Sequence, residues 1–278
     1  MSNALSMIDD TSDSLDADLN YLVPNGRRPV YYAFPAPPGI PQHSGEFETK
    51  RVRIQDGRRQ PERPTLDSTG FELVHEGSRL SDFSDDATVR RVYYPEVDAL
   101  IKRVTGAVKV VIFDHTLRYG VRGHTEEGVR EPATRVHNDQ TFVSGPRRVR
   151  DHLPAEEAAQ RIEGRFAIIN VWRPIGHPVE ASPLAMCDAR SIDPADLVPS
   201  DLVYRDKVGE TYAFTYNPRH RWSYFPRVRP DEVVLLKIYD SLDDGRARLT
   251  AHTAFEDPRA PASARPRRSI EVRSLVFF

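Results

Sequence analysis

Short apolar stretches separated by proline and glycine dominate the pattern of hydrophobic and polar positions along this chain. Each stretch has the length of a single strand, and the prolines are spread through the whole sequence, which does not suit long helices. Many short strands without alternating helices favour an antiparallel sandwich or barrel over a doubly wound parallel sheet. The predicted strands include Val108–Phe113, Phe166–Trp172, Val233–Tyr239, Arg248–Ala254 and Ser269–Phe278.

Two segments show the features of helices instead. In Tyr94–Thr105, apolar residues recur every three or four positions, Pro95 lies near the start and Gly106 follows the end. Pro154–Glu163 also begins with proline and is followed by Gly164. We therefore predict two helices that flank a mainly β core.

The N-terminal part differs in composition from the rest. Residues 1–18 belong to a segment rich in serine and aspartate, for which we predict a disordered tail. From Arg27 to Pro64 the composition is typical of loops, with a proline-rich stretch at residues 35–41. We interpret this second segment as an arm that wraps over the core of a single domain spanning residues 19–278.

Composition and charge exclude several classes of protein. Lys and Arg total 39 and Asp and Glu total 41, so the net charge of −2 provides no overall field to attract nucleic acid or an anionic membrane. No apolar run approaches 18 residues and the N-terminus lacks a signal-peptide pattern, so we expect a cytoplasmic protein. The lone Cys187 excludes an intramolecular disulfide, and its apolar neighbours indicate a buried structural thiol.

Motifs for nucleotide binding are absent from the sequence. Neither GxGxxG after a predicted strand nor GxxxxGK[ST] occurs. These absences count against a Rossmann methyltransferase or dehydrogenase and against a P-loop enzyme.

A metal-binding pattern begins at His137, which lies two residues before Asp139 in a strand-like segment. In an extended segment the side chains of residues i and i+2 project to the same face, so both can reach one ion. An iron site of the facial-triad type then needs one more imidazole and leaves three adjacent coordination positions open. Alone the motif is weak, because a surface His–Asp pair has the same spacing.

The C-terminal region supplies the missing parts of such a site. His252 lies in a late predicted strand, and Arg267 follows 267 − 252 = 15 positions later, two residues before Ser269. A 2-oxoglutarate molecule that chelates iron through its keto-acid end needs a bidentate cation and a hydroxyl for its far carboxylate. The order His-x-Asp, distant His and Arg-x-Ser therefore predicts a metal site with a seat for 2-oxoglutarate.

Characteristic stretches occur over nearly the whole chain after the predicted tail. They include Thr69–Leu73, Tyr93–Val97, Phe113–Arg118, Val136–Asp139, Asn170–Pro174, Pro183–Asp188, His252–Phe255 and Pro266–Arg273. In these stretches the sequence resembles the non-haem iron and 2-oxoglutarate hydroxylase/desaturase family of specialised metabolism. That family includes fungal gibberellin desaturase-like proteins and cephem-methoxylase-associated proteins.

The resemblance implies a double-stranded β-helix (a cupin-like jelly roll) that binds iron(II) and 2-oxoglutarate, with ascorbate as an accompanying reductant. It implies that His137, Asp139 and His252 hold the metal. Members of the family hydroxylate, desaturate or form rings oxidatively, and the sequence does not choose among these outcomes.

Five further polar residues are candidates for the cavity beside the metal. Asn170, at the end of an apolar strand, is expected to contact the co-substrate. Weaker candidates for substrate contacts are Arg118, Arg173, His220 and Arg273.

Some of these residues also have a structural interpretation that the sequence leaves open. Arg118 can pair with Asp114, and Arg273 can form an internal ion pair with Glu271. His220 is also an alternative third metal ligand, but no Arg-x-Ser follows it at a suitable distance.

The predicted function is oxidation of a small, carboxylate-bearing specialised metabolite or amino acid by an iron(II)- and 2-oxoglutarate-dependent dioxygenase. No nucleic acid or membrane partner is expected. The alternatives are a non-catalytic jelly-roll binding protein, an iron enzyme that does not use 2-oxoglutarate, and a methyltransferase-associated component of a biosynthetic pathway.

Overall fold

The computed structural model of this protein describes residues 13–120 and 129–278. Within these ranges, fifteen strands form two sheets. In chain order the strands are β1 (Ser14–Leu22), β2 (Val30–Tyr32), β3 (Phe47–Asp56), β4 (Phe71–His75), β5 (Lys109–Tyr119), β6 (Val129–Arg130), β7 (His137–Asn138), β8 (Phe166–Pro174), β9 (Leu184–Cys187), β10 (Leu197–Val203), β11 (Val208–Phe214), β12 (Trp222–Tyr224), β13 (Glu232–Asp240), β14 (His252–Ala254) and β15 (Arg268–Phe277).

The two sheets have the curled arrangement of a jelly roll. The nine-stranded sheet has the order β1-β3-β12-β9-β14-β7-β11-β10-β2, and the six-stranded sheet has the order β4-β13-β8-β15-β5-β6. Most neighbouring strands are antiparallel, and the pairs β2–β10, β3–β12 and β5–β6 are parallel. The prediction of a mainly β jelly roll with flanking helices is confirmed.

Strand β8 shows how the layers pack. All nine of its residues are buried, so both faces of the strand are covered. On the inner face, Ile168 and Trp172 join an apolar cluster with Met186 of the nine-stranded sheet. On the outer face, Ile169 and Val171 belong to a second cluster, which includes the helical layer.

The described helices lie between strands. They are α1 (Asp86–Thr88), a π-helical turn (Val89–Tyr93), α2 (Tyr94–Thr105), α3 (Ser144–His152), α4 (Ala155–Glu163) and two 3-10 turns (Ala189–Ser191 and Pro194–Asp196). Within the described ranges, no helix combines the length and the apolar character needed to cross a membrane.

Helix α2 has the predicted bounds. It ends at Gly106, whose left-handed φ of 74° allows its N–H to donate to the Lys102 carbonyl. Its buried face, which includes Leu100 and Ile101, packs with Val171 over the outer face of the six-stranded sheet. The second predicted helix is also confirmed, because α4 begins directly after Pro154.

Helix α3 was not predicted. Of its nine residues only Ser144, Gly145 and Val149 are buried, so it lacks a continuous apolar stripe. A Cβ on Gly145 would lie 2.5 Å from the ring of Tyr239, so this helix depends on a close approach that the local sequence does not reveal.

Two predictions for the N-terminal part are wrong. Residues Ser14 to Asp18 are not a disordered tail, because they form the first half of β1, which pairs along its length with β3. The segment interpreted as a loop-like arm contains β3, a ten-residue strand. Its many charged residues make the alternation of exposed and less exposed positions hard to recognise in the sequence. The first twelve residues lie outside the described ranges, and the assignment of residues 19–278 to a single domain stays a prediction.

The predicted strand Arg248–Ala254 is shorter in the structure. Only His252–Ala254 forms the ladder of β14. Ahead of it, the Thr250 N–H donates to the carbonyl of Lys237, and Arg248 donates to the carbonyl of Asp240. This segment therefore crosses between the two sheets before His252 enters the ladder.

Candidate metal centre

His137, Asp139 and His252 converge although they come from distant parts of the sequence. The two histidines are cross-strand partners in β7 and β14, and their ring centroids lie 4.4 Å apart. One nitrogen or oxygen atom from each of the three side chains lies within 4.8 Å of the other two. The Nε2 atom of His137 is 3.5 Å from Oδ1 of Asp139.

Backbone carbonyls orient the two imidazoles. Nδ1 of His137 is 2.8 Å from the carbonyl of Arg135, and Nδ1 of His252 is 3.5 Å from the carbonyl of Thr250. In each case the carbonyl lies two residues earlier, and a proton on Nδ1 leaves the lone pair of Nε2 available. Both histidines can therefore present Nε2 to the same ion.

The protonation states suit metal binding. Burial, together with the nearby His252, lowers the pKa of His137 to about 4, so its imidazole is neutral at pH 7. Burial alone would raise the pKa of Asp139, but Arg273 and the two histidines hold it well below its usual range. Two imidazoles and one carboxylate form the donor set that suits iron(II) with open positions.

Asn170 and Arg273 contact this centre through Asp139. The Nδ2 atom of Asn170 donates to Oδ2 of Asp139 at 2.9 Å, and Nε of Arg273 donates to the same oxygen at 3.0 Å. Arg273 also forms the predicted ion pair with Glu271, at 3.0 Å. Asn170 thus contacts the candidate ligand Asp139, and its expected contact with the co-substrate stays a prediction.

Arg267 lies in the interior, where it is 2% exposed. Its Nη1 donates to the carbonyl of Ser182 at 2.7 Å, and its guanidinium lies 5.5 Å from the ring centroid of Trp172. Burial, and then the nearby Arg118, lowers its pKa to about 9. Its Nε is buried without a hydrogen-bond partner in the described structure, so a further anionic group fits here.

Ser269 and Arg118 lie beside Arg267. Ser269 is buried in β15, and Arg118 is directly opposite it on β5, so the two side chains leave the sheet on the same face. The Arg118 guanidinium donates from Nη1 to the carbonyl of Glu131 at 2.8 Å. The alternative pairing of Arg118 with Asp114 is wrong, because Asp114 pairs with Arg273 at 3.1 Å.

Two predicted substrate contacts are wrong. Arg173 lies on the outer face of β8, where Nε donates to the Tyr93 hydroxyl at 3.0 Å and Nη1 donates to the Pro230 carbonyl at 2.6 Å. The ring nitrogens of His220 are occupied by the Tyr21 hydroxyl at 3.2 Å and by Asp196 at 3.1 Å. His220 is therefore neither a third metal ligand nor a substrate contact.

Ser182 is a site residue that the sequence did not indicate. Its φ of 49° is in the left-handed region, which is rare for serine, and its carbonyl accepts from Arg267. The contact joins positions 85 residues apart, and no local pattern signals it.

Known proteins resemble this chain over most of its length. A family model described as an oxidoreductase/YMDC permease-like domain matches residues 19–277. The hydroxylase/desaturase efuI of Hormonema carpetanum is 35% identical over 84% of this chain and 85% of its own length. The Fe(II)/2-oxoglutarate-dependent dioxygenase nvfI of Aspergillus novofumigatus is 36% identical over 89% of this chain and 90% of its own length.

A solved structure is also similar to this chain. It is described as the iron and alpha-ketoglutarate-dependent endoperoxidase NvfI, and it matches with a TM-score of 0.85 at 33% identity. The match covers 95% of this chain and 98% of that one.

Proposed function

Because this chain belongs to the family of iron(II)- and 2-oxoglutarate-dependent hydroxylases and desaturases, we propose that His137, Asp139 and His252 bind its iron. The observation that carries the proposal is the approach of their ligand atoms to within 4.8 Å of one another. Three protein ligands on one side of an octahedral ion leave three positions on the other side for a chelating co-substrate and dioxygen.

Arg267 and Ser269 bind the far carboxylate of 2-oxoglutarate in this proposal. The support is the buried guanidinium of Arg267, whose Nε has no partner, and the buried hydroxyl of Ser269 two residues later. A carboxylate that replaces water at such a donor gains a charge-assisted hydrogen bond in a site of low dielectric constant. Trp172 lies next to the guanidinium and limits access of water to it.

Iron(II) and 2-oxoglutarate, when bound, supply oxidation of an unactivated C–H bond by dioxygen, coupled to conversion of the keto acid to succinate and carbon dioxide. The protein residues hold these reactants in place. His137 and His252 present Nε2 because backbone carbonyls face their Nδ1 atoms. Asn170 holds Asp139 through a hydrogen bond and does not itself need to contact the co-substrate.

The substrate of this proposal carries a carboxylate, which Arg118 binds. Arg118 supports this proposal because its guanidinium donates to a neutral backbone carbonyl, that of Glu131, and lies close to Arg267. Arg273, in contrast, is already paired with the carboxylates of Asp114, Asp139 and Glu271. A carboxylate on the substrate compensates the charge of Arg118, which favours its binding beside the centre.

An assay of co-substrate turnover tests the function. Protein loaded with iron(II) without oxygen is mixed with 2-oxoglutarate, oxygen and a panel of small carboxylic acids. Succinate release that requires both iron and 2-oxoglutarate is expected, without consumption of S-adenosylmethionine. Stoichiometric iron uptake without succinate release for any acid in the panel would contradict co-substrate use, and failure of the native protein to bind iron would contradict the metal site.

The carboxylate contact has its own test. Arg118→Gln is compared with Arg173→Gln, because Arg173 is a buried guanidinium on the outer face of the same sheet. Once an acid is turned over, Arg118→Gln is expected to raise KM for the acid about 10-fold or more, whereas the corresponding amide shows little change. Unchanged kinetics for the acid in Arg118→Gln would contradict the proposal that Arg118 binds the substrate carboxylate.

A further inference from the structure

The two carboxylate oxygens of Asp139 have different surroundings. Oδ1 lies on the side of the imidazoles, 3.5 Å from Nε2 of His137. Oδ2 accepts two hydrogen bonds on the opposite side, from Asn170 at 2.9 Å and from Arg273 at 3.0 Å. An oxygen with two strong donors has its lone pairs occupied, so Oδ1 is the oxygen that remains for a cation.

Glu271 closes this arrangement into a ring. Its Oε1 accepts from the same Nδ2 of Asn170 at 2.9 Å, and its Oε2 accepts from Nη2 of Arg273 at 3.0 Å. Asn170 and Arg273, the two residues that donate to Asp139, therefore both donate to the buried carboxylate of Glu271 as well. The four side chains fix one another, and rotation of the Asp139 carboxylate breaks two hydrogen bonds at once.

The strands fix the ring in the sheet. Asn170 on β8 and Arg273 on β15 are direct cross-strand partners. On the other side of β15, Arg273 is opposite Asp114 of β5, and its Nη1 donates to Asp114 at 3.1 Å and to Thr116 at 2.9 Å. Asn170, Glu271 and Arg273 thus lie on two adjacent strands in the middle of the six-stranded sheet, with β5 alongside, whereas Asp139 directly follows β7 of the nine-stranded sheet.

We propose that Asn170, Arg273 and Glu271 are positioning residues that restrict Asp139 to binding iron through Oδ1 alone. The inference rests on the proposed function, because it takes Asp139 as a ligand. An octahedral ion has six positions: three protein donors, two atoms of a chelating 2-oxoglutarate and one position for dioxygen. If Asp139 also bound through Oδ2, the sixth position would be filled, so the ring keeps a site open for dioxygen.

Metal binding by purified variants tests this inference without relying on turnover. Asn170→Leu keeps a side chain of similar size and removes the amide group that donates to Asp139. Arg273→Gln removes the positive charge and the guanidinium that donates to both Asp139 and Glu271. Iron(II) affinity is measured by anaerobic equilibrium dialysis, and the visible spectrum of the cobalt(II)-substituted protein reports coordination number. We expect Kd for iron(II) to rise about 10- to 100-fold in each variant, with a changed cobalt(II) spectrum.

The matched control is Arg173→Gln, which removes a buried guanidinium from the opposite face of the same sheet. It is expected to keep the native affinity and spectrum. Arg273→Lys restores a cation and is expected to recover part of the lost affinity. If Arg273→Gln does not fold, Asn170→Leu and Glu271→Gln decide the outcome, because they leave the buried Arg273 in place.

The possible results are distinguishable. The positioning role would be overturned, with the metal site intact, if Asn170→Leu and Arg273→Gln both kept the native affinity and cobalt(II) spectrum. Glu271→Gln takes the place of Arg273→Gln if the latter does not fold. A metal-loaded native structure with both oxygens of Asp139 on the ion would also overturn it. Failure of the native protein to bind either metal would instead overturn the proposed function, and this inference with it.

Discussion

His137 and His252 are direct cross-strand partners, although 252 − 137 = 115 positions separate them in the sequence. Their ring centroids lie 4.4 Å apart, and Asp139 approaches from the same side. The pairing of β7 with β14 therefore creates the centre, since neither strand provides three donors alone. The short length of both strands confines this pairing to the one position where the imidazoles meet.

The first prediction compares His252→Ala with His220→Ala. His252 is a proposed metal ligand, so its loss should raise Kd for iron(II) more than the loss of a group that only supports a ligand, which typically raises Kd about 10- to 100-fold. His220→Ala should keep native affinity and lose about 1–3 kcal/mol of stability, because it removes a group that bonds to Tyr21 and Asp196. Anaerobic calorimetric titration and urea unfolding measure these effects; equal loss of affinity in both variants would contradict the assignment.

A second prediction concerns the seat for 2-oxoglutarate. Arg267→Gln should weaken 2-oxoglutarate binding about 30-fold or more, corresponding to about 2 kcal/mol for a buried charge pair, while iron affinity stays native. Arg268→Gln is the control, because the adjacent side chain is exposed and contacts Tyr119 through a hydrogen bond at 2.9 Å and by lying over its ring. Binding is measured by titration of the iron-loaded protein without oxygen. A similar effect of both substitutions would argue against a specific seat at Arg267.

Cys187 should be inert in the folded protein. It is buried, and this burial raises the pKa of its thiol to about 12. In the unfolded chain the thiol ionises at about pH 8.5, so its contribution to stability is complete below that pH and is lost as pH rises toward 12. A chromogenic disulfide reagent at pH 8 should label the thiol only after denaturant is added. Rapid stoichiometric labelling of the native protein would show that Cys187 is accessible.

The buried charge cluster around Lys237 should be important for stability. Its Nζ contacts Asp67 at 2.5 Å and Asp240 at 3.1 Å, and the Asp240 side chain is fully buried. Lys237→Met should cost more than about 1 kcal/mol but less than the about 3–5 kcal/mol of an unpaired buried charge, because Arg165 still pairs with Asp240 at 2.8 Å. Lys102→Met breaks an exposed pair with Asp98 and should cost less than about 1 kcal/mol. Urea unfolding of both variants checks the difference, and equal costs would contradict it.

Features that depend on near neighbours could be predicted from the sequence. Helix α2 has the predicted limits because proline at the start and glycine after the end act on their own backbone. His137 and Asp139 could be paired because alternation along an extended chain puts residues i and i+2 on one face. The tail was mispredicted because a strand such as β1, with charged residues facing water, has a composition similar to that of a disordered segment.

The sequence by itself determined the chemical groups of the centre: two imidazoles, a carboxylate and an arginine beside a serine. Only the tertiary structure decided that Asn170 faces the metal side and Arg173 faces the helical layer. Strand β8 is buried on both faces, so its hydrophobic pattern does not distinguish inside from outside. The contacts of Arg273 with Asp139 and of Arg267 with Ser182 likewise depend on which strands and loops become neighbours, and that is set by packing across the whole fold.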